Sequence, residues 1–242
     1  MAFRASMIAL SLILAYAAWV HPLELDRTRI PYFGGLPFEY VGTTGTSYTS
    51  NRILSLGDDV VLIAKEDGGL KKGIPYLVVN KPRRFHDDFY TSVAVVRPLF
   101  QDGAATYVGE VIEAFGVFDT RNAYGLYDFQ GTPRKLPLEV KTSKTPIRGR
   151  VKVLFGHSQK ASLGEFVGVS VDGDPEGSLE EGLRVFFYNP SPFWKKVFGK
   201  NKPPRVVAEG IVVFVSKKRA SILLTQGEEF VTQGTPFTSL LD

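Results

Sequence analysis

Short apolar runs bounded by glycine or asparagine recur along the chain and predict strands. Val60–Ala64, Pro75–Val79 and Arg184–Tyr188 are such runs, rich in β-branched and aromatic residues. The stretch RVVAEGIVVFVS (205–216) is apolar at odd and even positions alike, the pattern of a strand covered on both faces. No segment keeps a helical period long enough for a major helix. Between the runs, Gly68, Gly69, Gly73 and Gly182 permit the positive φ that tight reversals require. Short strands with turn signals about every eight to twelve residues predict an all-β fold of small barrels or sandwiches.

The pattern also repeats. LSLGDDVVLI (54–63) is echoed by ASLGEFVGVS (161–170), which sets Gly57 and Asp58 against Gly164 and Glu165. GLKKGIPYLVVN (69–80) is echoed by SLEEGLRVFFYN (178–189), which pairs Leu70 with Leu179, Gly73 with Gly182 and Asn80 with Asn189. A third match sets YVGEVIEAF (107–115) against VVAEGIVVF (206–214) and pairs Glu110 with Glu209. Three blocks in one order predict a duplicated unit, with tandem β-domains over 51–142 and 143–242. KTSKTPIRGR (141–150), basic, polar and Pro-containing, suits the junction. Residues 18–50, aromatic and Gly-rich with few charges, are expected to form an extended arm packed on the first domain and adding an edge strand.

The first 20 residues change the picture from fold to compartment. Arg4 precedes an apolar run from Met7 to Val20, and Ala15-Tyr16-Ala17 is a small-x-small cleavage pattern. At 14 residues the run is short of the roughly 20 that span a bilayer. Residues 1–17 are expected to be a signal peptide, with an uncleaved anchor or a buried helix as the other readings. The body is then expected outside the cytoplasm, in the periplasm or associated with the cell envelope. Zero Cys excludes thiol catalysis, disulfides and thiolate metal sites. A net charge of +4 is too weak and scattered to argue for nucleic acid.

VGTTGTSYTSNRILSLGDDVVLI (41–63), GLKKGIPYLVVNKP (69–82) and YVGEVIEAFGVFDTRNAYGLYDF (107–129) together form an outline. It resembles the β-rich domain that follows LysM modules in Gram-negative envelope proteins. Gly57-Asp58 and Gly109-Glu110 stand at that domain's two signature places. The second copy keeps Gly164-Glu165 and has Ala208-Glu209 at the later one. The resemblance implies a non-catalytic periplasmic or cell-wall protein. No LysM module is present in the sequence, so the peptidoglycan binding ordinarily assigned to that module is not carried over. By architecture alone, tandem β-domains also look like accessory pieces of flagellar or secretion machinery.

Candidate contact residues lie in two excursions at matching places. In NPSPFWKKVFGKNKPPR (189–205), Ser191 and Pro192 can open a short helix and Gly199 can end it. Phe193, Trp194, Val197 and Phe198 then share one side, with Lys195, Lys196 and Lys200 largely opposite. Such a helix suits an anionic membrane surface, a partner or a sugar; the plainer reading is a plug over one barrel end. NKPRRFHDDFY (80–90) likewise combines Arg83, Arg84, Phe85 and Tyr90.

Chemistry is sparse. His86-Asp87-Asp88 has metal-ligand types, but adjacent extended residues point apart and no second His stands at ligand spacing, so a solvated loop is expected. His21 and His157 are isolated. Asp58 and Glu165 read as strand-entry turn carboxylates bonded to nearby amides. Glu110 and Glu209, on apolar strand faces, need an Arg or backbone donors beside them. Gly57, Asp58, Gly73, Glu110, Gly164, Glu165, Gly182 and Glu209 are therefore expected as structural anchors. No nucleophile elbow, S-x-x-K, H-E-x-x-H or phosphate loop is found, and neither a catalytic residue nor a cofactor nor a metal is assigned.

The leading expectation is a non-catalytic exported envelope protein, a structural or assembly component. Its expected partners are other envelope proteins or peptidoglycan, with possible membrane-surface contact and no nucleic acid. One alternative is a glycan-binding module that grips through Trp194, Phe193 and Tyr90. Another is an envelope hydrolase that uses Glu110 or Glu209.

Overall fold

The computed structural model describes residues 23–47, 51–66, 69–81, 88–156, 158–173, 179–189 and 205–240. The chain is all-β and closes twice. An N-terminal stretch carries β1 (Leu23–Asp26), a 3-10 turn (Arg27–Arg29) and β2 (Tyr32–Phe33). β3 (Glu39–Ser47), β4 (Ile53–Leu54), β5 (Asp59–Ala64) and β6 (Tyr76–Asn80) follow. Next come β7 (Phe89–Gln101), β8 (Thr106–Ala114), β9 (Phe118–Asp119) and β10 (Gly125–Asp128). After β11 (Lys135–Leu138) come β12 (Arg148–Leu154), β13 (Lys160–Ala161), β14 (Phe166–Val171) and β15 (Arg184–Asn189). The chain ends in β16 (Arg205–Ser216), β17 (Arg219–Gly227), β18 (Val231–Thr232) and β19 (Pro236–Thr238). The strands expected from the apolar runs at 60–64, 75–79 and 184–188 correspond to β5, β6 and β15.

The first barrel runs β3-β5-β8-β7-β6-β10 and the second runs β12-β14-β17-β16-β15-β19, each returning to its start. Neighbours match all the way round, so β7 corresponds to β16 and β8 to β17. The first two sequence blocks sit at equivalent places. Gly57 and Gly164 have φ of 86° and 82°, and the turn carboxylates behind them do the same work. Ser55 N–H donates to Asp58 Oδ2 at 2.7 Å, and Ser162 N–H donates to Glu165 Oε2 at 2.6 Å. Gly73 and Gly182, at 76° and 88°, donate their amides to the Pro98 and Val212 carbonyls respectively.

The third sequence block is corrected. VVAEGIVVF lies on β16, so its counterpart is β7 and not β8. Tyr76 stands opposite Val96 where Val185 stands opposite Gly210, and a register shift follows Val78 and Phe187 alike. Glu209 therefore corresponds to Val95, and Ile211 to Arg97. Gly57 N–H bonds to Val111 O where Gly164 N–H bonds to Leu224 O, which sets Glu110 against Leu223. The two glutamates are not repeats of each other. The two stretches read alike because β8 and β16 both set a glutamate among small and apolar residues, YVGEVI against VVAEGI.

The segment 18–50 does more than add an edge. Its β3 is a full barrel stave between β5 and β10. One register position explains why glycine is needed there. Gly42 faces Ala64 as Gly149 faces Val171, and a Cβ at either would lie 2.2 Å from a carbonyl of the paired strand.

Each barrel fills its own interior: Leu62, Val78, Val96 and Leu126 in the first, Val169, Phe187, Val212 and Ile222 in the second. A third apolar cluster lies between them. The first barrel contributes Leu77, Val79 and Val95, from the outward sides of β6 and β7. The second contributes Ile211, Val213, Phe214 and Leu223 from β16 and β17. A register shift between Val212 and Phe214 lets two successive side chains reach this cluster. The N-terminal stretch is wedged into the same place. β2 pairs with β7, while Tyr32 meets Phe214 edge-on at 4.8 Å and Phe38 at 5.5 Å. β1 pairs with β11, whose Leu136 and Leu138 complete the cluster.

Candidate binding site

Where the barrels meet, two connected hollows open. The smaller, about 500 Å³, lies among Arg29, Pro31, Phe115 and the Gly164–Phe166 entry to β14. It shares Thr91, Phe155 and Gly156 with a groove of about 760 Å³. Asn80 and Phe89, which end β6 and begin β7, form one wall of that groove. Lys152–Gly156 and Ser158–Lys160 form the other, and Thr232, the last residue of β18, closes one end with Gln233. Phe89 and Phe155 meet edge-on across it at 6.0 Å. Thr232 and Gln233 also line a further hollow beside Asn189, at the end of β15. Asn80 and Asn189, the matched roots of the two excursions, thus flank one short turn.

Of the residues expected to make contacts, Phe193, Trp194, Lys195, Lys196, Phe198, Arg83, Arg84 and Phe85 lie outside the described residues, as do His21, His86, Asp87 and His157. So do the expected signal segment 1–17 and its cleavage pattern. Tyr90 is half-buried, packs against the cluster between the barrels, and has Lys81 Nζ 5.3 Å from its ring centre. Asp88 accepts from Lys81 at 2.9 Å, a bond that holds its carboxyl below the ordinary range and raises the lysine.

The carboxylates singled out in the sequence are each engaged. Asp58 and Glu165 close their turns. Glu110 accepts from Arg97 at 2.8 Å across the β7–β8 pair. Glu209 accepts from Arg184 Nε at 2.9 Å and also from Nη2, across the β15–β16 pair. Three more groups fasten the N-terminal stretch. Burial pulls Asp26 upward, but bonds from Arg134 and Thr28 outweigh it and leave the carboxyl below its usual value. Arg134 also grips Glu113 at 2.6 Å, and the two carboxylates hold its guanidinium above its usual value. Tyr32 donates to the Arg27 carbonyl at 2.6 Å, and burial pushes its phenol well up. Among the described residues no group of three His, Asp or Glu stands together as a metal cluster.

The groove residues Phe89, Lys152, Phe155, Gln159, Lys160 and Gln233 were missed from sequence. Nothing local marks them: Phe89 begins β7 of the first barrel, whereas the other five come from the β12–β13 stretch and the turn after β18 of the second. Comparison with family models, curated proteins and solved structures finds no match for the chain.

Proposed function

We propose that the chain is an exported, non-catalytic component of a bacterial envelope, a rigid two-barrel scaffold on which another envelope component assembles. One observation carries the scaffold reading: the third apolar cluster, threaded by β2, fixes the two barrels as one body. That body presents the matched roots Asn80 and Asn189 on either side of the Thr232–Gln233 turn. Export is supported by Arg4, the apolar run to Val20 and the Ala15-Tyr16-Ala17 pattern. The resemblance to the domain that follows LysM modules points to the same compartment. The ion pairs of Glu110 and Glu209 favour anchoring over acid catalysis, because each carboxylate is already committed to a guanidinium.

The test is fractionation of the tagged full chain in a Gram-negative host, followed by crosslinking in intact cells. Recovery in the periplasmic fraction with a shortened N-terminus, crosslinked to an envelope component, is the expected result. Full-length protein confined to the cytoplasm overturns the proposal.

A further inference from the structure

Ser55–Asp58 and Ser162–Glu165 are matched four-residue turns. The Asp58 and Glu165 amides close them on the Ser55 and Ser162 carbonyls at 3.1 Å, with Gly57 and Gly164 at positive φ in third place. Geometry selects the glycine and the carboxylate, but nothing in the turn calls for leucine. Both copies nevertheless keep one, and Leu56 and Leu163 are 70% and 64% exposed. A short ribbon beside each turn adds to it. Leu54 pairs with Phe118 and Ala161 with Val231, which brings the exposed Val117 and Phe230 alongside the two turns. With Ile53, these are five of the nine large apolar side chains left exposed among the described residues. An exposed apolar set that both copies of a duplicated unit retain marks a contact surface. The turns flank the smaller hollow: Phe115, two residues before Val117, belongs to its first-barrel wall, and Gly164, next to Leu163, to its second-barrel wall. Both sets of tips therefore open on the side where that hollow lies.

Charge selects what covers them. Arg52 and Arg121 converge on Asp119 at 3.6 and 2.6 Å, and their side chains are 61% and 63% exposed against 12% for the carboxylate. Arg29, also exposed, lies over the Phe115 ring in the hollow between the turns. The carboxylates of this side recede. Half-buried Asp58 accepts from the Ser55 amide, and half-buried Glu165 from the Ser162 amide and hydroxyl. Glu228 and Glu229, just before Phe230, are exposed, and Arg205 bonds to both. What projects beside the leucines is thus guanidinium. A second copy laid on this side about a two-fold axis would set these cations against their like. A folded partner would need an apolar recess for each convex tip, spaced across two barrels. A bilayer interface takes apolar tips wherever they stand and offers phosphate to guanidinium. We infer that this side of the molecule docks on an anionic lipid surface, with Leu56 and Leu163 entering between headgroups and Arg29, Arg52 and Arg121 on the phosphates. The inference does not rest on export, since it requires only that a bilayer be within reach.

The chain has no Cys, so one thiol can be placed where it is wanted. Full-length Leu56→Cys, Leu163→Cys and, past the other end of β8, Asp102→Cys are each labelled with an environment-sensitive fluorophore. They are titrated with vesicles of mixed phosphatidylglycerol and phosphatidylcholine, or of phosphatidylcholine alone. A local shift is read in place of co-sedimentation, because the apolar run Met7–Val20 can hold the chain on lipid by itself. Labels at the Leu56 and Leu163 positions are expected to shift to the blue on the anionic vesicles, and the label at Asp102 to stay unchanged. Adding Arg52→Gln should raise the lipid concentration for half the shift roughly fivefold. It should leave the melting temperature unchanged, since Arg121 still holds Asp119. Equal shifts on neutral vesicles overturn the role of the guanidinia, and shifts at all three sites overturn the assignment of this side. No shift at either leucine position overturns lipid docking and assigns the tips to a partner protein.

Discussion

Phe214 and Val212 are close neighbours on β16 that serve different bodies, and removing each in turn tests how the molecule is joined. Val212 belongs to the interior of the second barrel, whereas Phe214 belongs to the cluster between the barrels and meets Tyr32 edge-on at 4.8 Å. Phe214→Ala removes a ring that is only 7% exposed. Such truncations cost about 3–5 kcal/mol, of which roughly 1 comes from the aromatic pair. The lower end, about 3 kcal/mol, fits a cluster whose walls are two separate barrels free to settle together. At about 1.4 kcal/mol per factor of ten, that weakens the joint roughly a hundredfold without touching either interior. Calorimetry on the wild type should show one transition, because the joint makes the barrels unfold together. Phe214→Ala should show two, with the later one near the original temperature. Val212→Ala, costing about 2 kcal/mol inside one barrel, should lower a single unsplit transition. A single transition for Phe214→Ala, lowered like that of Val212→Ala, would refute the claim that the third cluster is a separable joint.

Two further outcomes follow from residues already placed. Gly42→Ala and Gly149→Ala should each lose roughly 2–3 kcal/mol in urea unfolding, because both new methyls strike a strand carbonyl. Gly73→Ala, with open space beside it and a φ of 76°, should lose only about 1. The Asp26 carboxyl is held below its unfolded value, so its contribution is present above about pH 4 and fades as pH falls through the folded value. Asp26→Asn should therefore be less stable than wild type at pH 7 by roughly 0.5–1 kcal/mol, with the gap narrowing as the pH falls below about 4. A gap that does not narrow at all on acidification would show that the Asp26 contact with Arg134 is not electrostatic.

Much of the fold was legible because duplication writes the same turn twice. Ser-Leu-Gly followed by a carboxylate, then Leu-x-x-Gly, marks positions where backbone geometry and not side-chain packing selects the residue. RVVAEGIVVFVS was expected to be covered on both faces, and β16 is, by its own barrel inside and by the joint outside. β3 was illegible as a barrel stave because Glu39–Ser47 is rich in Gly, Thr and Ser and lacks an apolar face strong enough to stand out. β7 escaped notice because Pro98 interrupts its run, and the structure accommodates that proline beside a register shift. The joint depends on Tyr32 and Val95 meeting Phe214 across more than a hundred residues, and the groove on Lys152 meeting Phe89 and Gln233 across more than sixty. No local pattern encodes that meeting.

The two barrels repeat one unit, yet the joint does not treat them alike: β7 and β16 correspond and both lie in it, but different positions do the packing. Where the second barrel offers Ile211 and Leu223 to the joint, the first carries Arg97 and Glu110; where the first offers Val95, the second carries Glu209 beside Arg184. An exchange of the barrels' places would bring a bonded guanidinium and carboxylate against apolar side chains that give them nothing in return. The order of the pair is written into its ion pairs.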